Sequence, residues 1–234
     1  MYSKDTLEIF SSNKNIIKML KKEIKFNSYT HQERIKKGDR VELRSSYNEY
    51  VYLVTSGYMK YNHDLNYTDQ YQFLISPGDI ATLRLYDEMS TNRPACIALT
   101  DVVWWKIDFN FFKNVMLAED PKNIILTYHM EVSRDKLYTN YLQNLLNSKQ
   151  RVLLCILMFL DKGFHKSDNI IELPNFISYP LLAEFSSTSK TYTSDILSDL
   201  RKSEILVSTS KPWIITDVKK FMNIIEDEGV PKLY

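Results

Sequence analysis

The hydrophobic period of this chain changes near residue 110, and that change limits what the chain can fold into. From about 26 to 109 the apolar residues come in short alternating runs. One is EYVYLVTSGYMKYN, rich in Tyr and Val around Gly57, and another is YQFLISPGD, which ends in a Pro-Gly turn. CIALTDVVWWKID reads as a further strand pair around a Thr-Asp turn. Short strands joined by turns predict an antiparallel sandwich or barrel. From 111 to 147 the spacing becomes helical, with Ile124, Ile125, Tyr128, Val132, Tyr138, Leu142, Leu145 and Leu146 on one stripe and Pro121 at an early helix position. A helix that long after a small sheet domain often packs on a partner chain, the alternative being an ordinary intrachain core helix.

Ahead of the strands, residues 5–25 carry a short amphipathic helical pattern through Leu7, Ile9, Phe10, Ile16, Ile17, Leu20 and Ile24. Behind the long helix, 149–164 reads as a buried helix with Cys155 in its middle. NIIELPNF reads as a short strand ending at Pro174. Helices follow at 178–185 and 189–203, then two short strands in EILVSTSKPWIIT with a turn at Ser210–Pro212, and a last helix from about Asp217 to Asp227.

Composition narrows the function classes. The 234 residues are 44% hydrophobic and 25% charged, ordinary for a cored protein. With only 5 glycines, a Gly-rich phosphate loop is not expected. No run of about 18 apolar residues predicts a membrane span, and MYSKDTLEIF lacks a basic-then-apolar signal pattern. Cys96 and Cys155 lie far apart in apolar surroundings, so no disulfide is expected and a reducing cytoplasm is the default. Residues 148–234 hold as many acidic as basic side chains, so any DNA-binding surface there must be local.

The stretch SSTSKTYTSDILSDL (186–200) supplies that local surface. Ser178 is a good N-cap, Pro180 suits a first turn, and Leu181, Leu182 and Phe185 give an apolar face beside the small Ala183. Ser186, Ser187 and Thr188 make a short turn. Ser189 then caps a second helix with Thr193, Ile196, Leu197 and Leu200 inward and Lys190, Thr191, Ser194, Asp195, Ser198 and Arg201 outward. Two helices, a tight turn and a following strand pair predict a winged helix-turn-helix, whose second helix enters the major groove N-terminus first.

The segment ISYPLLAEFSSTSKTYTSDILSDLRKSEIL resembles, without a gap, the helix-turn-helix of the cyclic-AMP receptor protein/FNR superfamily of bacterial transcription regulators. The family's Ser-Arg-Glu-Thr-Val is similar to Ser189, Lys190, Thr191, Tyr192 and Thr193. RIKKGDRV, EYVYLVTSGYMKYN, FLISPGDI and CIALTDVVWWKID resemble, in order, strands of the family's cyclic-nucleotide-type β-roll. KQRVLLCILMFL resembles the helix after the dimer helix, with Arg151 at the family's recurrent Arg. IIELPNFISYPLLAEF is most similar to the branch containing the Listeria virulence regulator, which implies a small thiol peptide such as glutathione as one effector.

The departures from that pattern carry information too. The family's Gly-Glu pair, whose Glu contacts the ribose, corresponds to Thr82 and Leu83, and Arg93 alone matches the phosphate-pairing Arg, so cyclic AMP is not expected as the effector. The turn glycine is replaced by Ser187, which must accept a strained φ or reshape the turn. The base-contacting Arg is replaced by Asp195, which repels phosphates but accepts from a cytosine amino group. A cupin-type enzyme would need clustered histidines, and His31, His63, His129 and His165 are scattered without metal-ligand spacing. No nucleophile elbow or P-loop occurs.

The expectation is an α+β chain of three parts. Residues 1–110 form a cyclic-nucleotide-binding-like β-roll with a leading helix, 111–147 a dimerisation helix region, and 148–234 the winged helix-turn-helix. Its function is sequence-specific DNA binding by a homodimeric, non-enzymatic regulator, with double-stranded DNA, a second copy and RNA polymerase as partners. Ser189, Lys190, Thr191, Ser194 and Asp195 are the candidate base or phosphate contacts, with Lys202 and Lys211 secondary. No cofactor or metal is expected. A small-molecule effector biasing the recognition helix, control by abundance alone, and a ligand-binding or protein-interaction module with a degenerate DNA domain remain open readings.

Overall fold

The computed structural model describes residues 3–43, 50–63, 71–82, 94–207 and 210–231. The chain divides into two compact units, Met1–Lys136 and Leu137–Tyr234.

The first unit opens with helices α1 (Lys4–Phe10), α2 (Asn13–Leu20) and α3 (Phe26–Tyr29). The single amphipathic pattern expected over 5–25 is therefore broken. Ser12 accepts a hydrogen bond from the Asn15 N–H and starts a new helix, which resets the phase. As a result Ile9 and Ile24, expected on the core face, are exposed, whereas Ile16 and Leu20 are fully buried.

Among the described residues the strands that follow are β1 (Thr30–Ile35), β2 (Arg40–Glu42), β3 (Tyr50–Ser56), β4 (Met59–His63), β5 (Tyr71–Ile75), β6 (Ile80–Thr82), β7 (Pro94–Ala98) and β8 (Val102–Asp108). They form two antiparallel sheets ordered β1-β8-β3-β6 and β2-β7-β4-β5. One core lies between the sheets and holds Val54, Met59, Ile75, Cys96, Ala98, Val102 and Trp104. A second core, with Val51, Leu53 and Ile107, lies between the first sheet and the helices. Strand β3 thus buries both faces, which is why it reads as a nearly continuous apolar run.

The segment around the Thr-Asp turn does not form a pair of bonded strands. β7 pairs with β2 and β4, while β8 pairs with β1 and β3. The chain crosses between sheets at this corner. Gly57 sits against it with φ 80°, and a Cβ there would lie 2.1 Å from the Asp101 carbonyl oxygen. Only glycine satisfies both constraints.

Helices α4 (Phe109–Glu119) and α5 (Ile124–Leu145) come next. Pro121 falls in the turn between them rather than in a helix. The buried Asp120 instead opens α5 by accepting from the Ile124 and Ile125 N–H groups at 2.9 and 2.8 Å. At 22 residues, α5 is as long as its pattern implied.

The second unit continues with α6 (Ser148–Leu160), β9 (Phe164–Ser167), β10 (Ile170–Glu172), α7 (Tyr179–Phe185), α8 (Lys190–Lys202), β11 (Leu206–Val207), β12 (Ile214–Ile215) and α9 (Val218–Asp227). Its sheet is ordered β11-β12-β10-β9. Asn147 and Gln150 close a reciprocal capping box on α6, and Phe159 of α6 meets Phe185 of α7 edge-on at 5.6 Å. β9 has no counterpart among the expected elements, because all four of its residues are exposed and carry no apolar alternation. No described helix is long and apolar enough to cross a membrane.

Candidate nucleic-acid interface

The hydroxyl-rich stretch divides its side chains between building a turn and facing outward. Ser178 caps α7 by accepting from the Leu181 N–H, with a proline in the first turn. Ser189 caps α8 by accepting from the Tyr192 N–H at 3.1 Å. Between the caps, Ser186 is fully buried. Its hydroxyl donates to the Leu182 carbonyl at 2.7 Å and meets Thr188 Oγ1 at 2.7 Å. Thr188 in turn meets Thr193 Oγ1 at 2.8 Å, and Thr193 donates to the Ser189 carbonyl at 3.0 Å. This chain of hydroxyls ties the end of α7 to the first turn of α8.

Ser187 takes φ 49°, the left-handed conformation that a glycine would enter without strain. Arg151 of α6 locks the same turn from below. Its Nε donates to the Ser186 carbonyl at 2.8 Å and its Nη2 to the Ser187 carbonyl at 3.2 Å, while Nη1 reaches the Leu146 carbonyl at 3.2 Å. An arginine suits this place because its fixed fork of donors can bridge several carbonyls at once.

Helix α8 has two distinct faces. Thr193, Ile196, Leu197 and Leu200 are buried. Ser189, Lys190, Thr191 and Asp195 are exposed, and Ser194 and Ser198 partly so. Neither Lys190 nor Asp195 forms an ion pair among the described residues. The five principal candidates therefore lie on one side of one element. Tyr192, also exposed in the first turn, joins them; its aromatic ring had masked a place on the outer face.

The secondary candidates are set apart. Lys202 pairs with Asp199 at 3.1 Å in the last turn of α8, and such exposed pairs contribute only about 0.2–1 kcal/mol. Lys211 is exposed between β11 and β12, where the turn was expected. Asp217 caps α9, and the hydrogen bonds it accepts from the Lys220 backbone and the Asn169 side chain hold its carboxyl below the usual range.

In the first unit, Arg93 and Leu83 lie outside the described residues, as does the side chain of Thr82. Tyr52, Tyr61 and Phe73 pack against the core between the sheets. Tyr52 contacts Trp104 at 4.7 Å and Tyr61 stacks on Phe73 at 4.3 Å. Lys136 lies 5.0 Å from the Phe73 ring centre and 3.0 Å from Asp79. Burial pushes both the Cys96 and the Cys155 thiol up to about 12, so neither is a thiolate at neutral pH. Among the described residues no three His, Cys, Asp or Glu side chains gather in a metal-binding group.

No family model matches the chain. The HTH-type transcriptional regulator ArcR of Staphylococcus epidermidis is 24% identical over 196 residues, covering 82% of this chain and 84% of its own. Among solved structures, a cyclic nucleotide-binding domain containing protein from Listeria monocytogenes aligns at TM-score 0.73 and 18% identity, over 87% of this chain and 96% of that one. A CRP-family transcriptional regulator from Thermus thermophilus aligns at TM-score 0.62 and 16% identity, over 86% and 98%. The resemblance carried by the sequence fragments is thus borne out across the fold.

Proposed function

We propose that this chain is a sequence-specific DNA-binding transcription regulator that works as a homodimer. The observation that carries the reading is helix α8. It is capped by Ser189, anchored through four buried residues, and presents Ser189, Lys190, Thr191, Tyr192, Ser194 and Asp195 on its outer side. Short hydroxyls at the leading end can approach base edges and phosphates, and Lys190 adds a donor to guanine or phosphate. Asp195 offers an acceptor for a cytosine amino group, so the preferred site differs from one read by an arginine at that position. Lys202 and Lys211 stand as secondary phosphate contacts. The regulator names carried by the Staphylococcus relative and the Thermus structure agree with this reading.

Dimerisation is assigned to α5. Met130, Leu137, Tyr138, Tyr141 and Leu145 are exposed along it, an apolar series that a second copy would cover. Two recognition helices would then meet successive turns of DNA, about 34 Å apart, on a near-palindromic site. RNA polymerase is the further partner, and the cytoplasm the place of action.

Cyclic AMP is not the effector on this reading, since Thr82 and Leu83 stand at the Gly-Glu positions and Arg93 alone matches the phosphate-pairing Arg. A small-molecule effector of another class would act by biasing the orientation of α8. A decayed DNA domain is not favoured, because the cap, the inner face and the turn of the helix pair are all kept. Selection from random-sequence duplexes followed by gel shift tests the proposal. An enriched palindrome is expected, and none at low salt would sink the regulator reading.

A further inference from the structure

One charged side chain on the outer side of α8 buries two donors that find no hydrogen-bond acceptor among the described residues. Arg201, in the last turn, folds its guanidinium against two rings, with Cζ 5.6 Å from the centre of Tyr179 and 6.0 Å from that of Trp213. The rings meet edge-on at 5.0 Å. Tyr179 is the first residue of α7, and Trp213 immediately precedes β12, so the seat is built by the helix before α8 and the strand pair after it. Arg201 Nε and Nη2 are buried, and neither donates a hydrogen bond among the described residues. Among the described residues no carboxylate pairs with the group. The residue as a whole is only partly buried, so the side chain keeps access to solvent.

Attraction to the ring faces offsets part of the cost of this seat. It does not replace the hydration that the two N–H groups lose, and a buried donor without an acceptor is destabilising. An acceptor with two oxygens and a negative charge would satisfy the planar fork.

Position identifies the acceptor. Arg201 stands eleven residues after Lys190, about three turns, so both lie within roughly 20° of the same line on the helix and about 16 Å apart along it. The major groove is about 12 Å wide. With the N-terminal turn of α8 at the bases, Arg201 falls beyond the groove, at the sugar-phosphate backbone. We infer that Arg201 is a backbone-phosphate contact, parked on Tyr179 and Trp213 in the free protein and released to DNA on binding. This rests on the regulator reading above.

The test is the salt dependence of binding by the full-length chain. Its probes are the palindromic duplex recovered by selection and a mixed-sequence duplex of the same length. Each phosphate contact contributes about 0.9 to the slope of log Kobs against log[salt], so Arg201→Met in both protomers should lower the slope by roughly 2. The affinity loss should be similar on the two duplexes, because a phosphate contact carries no sequence. Arg201→Lys should keep the slope. Arg201→Met should leave the melting temperature unchanged or raised, since it removes unpaired buried donors while keeping the packing.

A wild-type protein that binds DNA with a slope unaltered by Arg201→Met overturns the inference and leaves the regulator reading intact. Misfolding or a lowered melting temperature of Arg201→Met also overturns it, for the guanidinium would then be structural. Absence of DNA binding by the wild type removes both.

Discussion

The Arg151 guanidinium donates from Nε to the Ser186 carbonyl at 2.8 Å, joining the start of α6 to the turn of the helix pair across 35 residues of sequence. The same group reaches the Ser187 carbonyl, whose residue holds φ 49°. The strained turn and the arginine that holds it form one device. Replacing Arg151 by Met leaves the Ser186 and Ser187 carbonyls without this donor. Arg151→Met is expected to lower unfolding free energy by about 2 kcal/mol, read by urea denaturation, with Arg151→Lys falling between it and the wild type.

Ser187 should respond in the opposite sense. Its left-handed backbone costs an L-residue about 1 kcal/mol, part of which Ser187→Gly returns to unfolded-chain entropy. Ser187→Gly is expected to stabilise by roughly 0.5 kcal/mol, and Ser187→Val to destabilise by more than that. A loss of melting temperature in Ser187→Gly would contradict this account of the turn.

On the DNA face, Lys190→Ala is expected to weaken binding to the selected duplex by roughly 1–3 kcal/mol if Lys190 reads a base. Unchanged affinity in a fluorescence titration would remove Lys190 from the interface. Asp195→Asn should strengthen binding to mixed-sequence DNA, since it removes a repulsive charge from the groove face. It should also relax the preference for the base that Asp195 faces.

The exposed series on α5 predicts the oligomeric state. Leu137 and Tyr141 are exposed one turn apart. Leu137→Glu with Tyr141→Glu would place two charges in the dimer contact without opening either core. Sedimentation velocity should show a dimer for the wild type and a monomer for the double variant. A monomeric wild type would remove α5 as the assembly surface.

His129 supplies a pH dependence. Burial, followed by the nearby positive charge of Lys136, holds its pKa below the ordinary value in spite of Asp79. The unfolded chain therefore takes up the proton first. Stability is full above the unfolded value of about 6.5 and is lost as pH falls below it. His129→Gln should flatten unfolding free energy over that range, and an equal slope in both proteins would assign the dependence elsewhere. At lower pH a second loss should follow from Glu33. Burial alone would raise its carboxyl, but the hydrogen bonds from Trp104 and His31 and the charge of Lys106 leave it lowered.

The sequence by itself determined the features that depend on neighbours within a turn or so. Ser178 and Ser189 cap the helices they were expected to cap, because a cap joins a side chain to an N–H only three residues on. The inner face of α8 was legible for the same reason, since 3.6-residue spacing puts Thr193, Ile196, Leu197 and Leu200 on one side whatever lies opposite. The order of the β-roll strands and the helix-turn-helix could likewise be followed along the chain.

Tertiary structure decided which groups meet across long separations. Alternation marks β7 and β8 as strands but does not choose their partners, and they went to different sheets. A polar hydroxyl reads as outward-facing, yet Ser186 is fully buried because it finds an acceptor in the Leu182 carbonyl. Arg201 looked like one more outer-face charge until folding brought Tyr179 and Trp213 around it. Spacing along a helix fixes the direction of a side chain, but its solvation, and with it what the group can bind, is set by atoms that the chain brings from elsewhere.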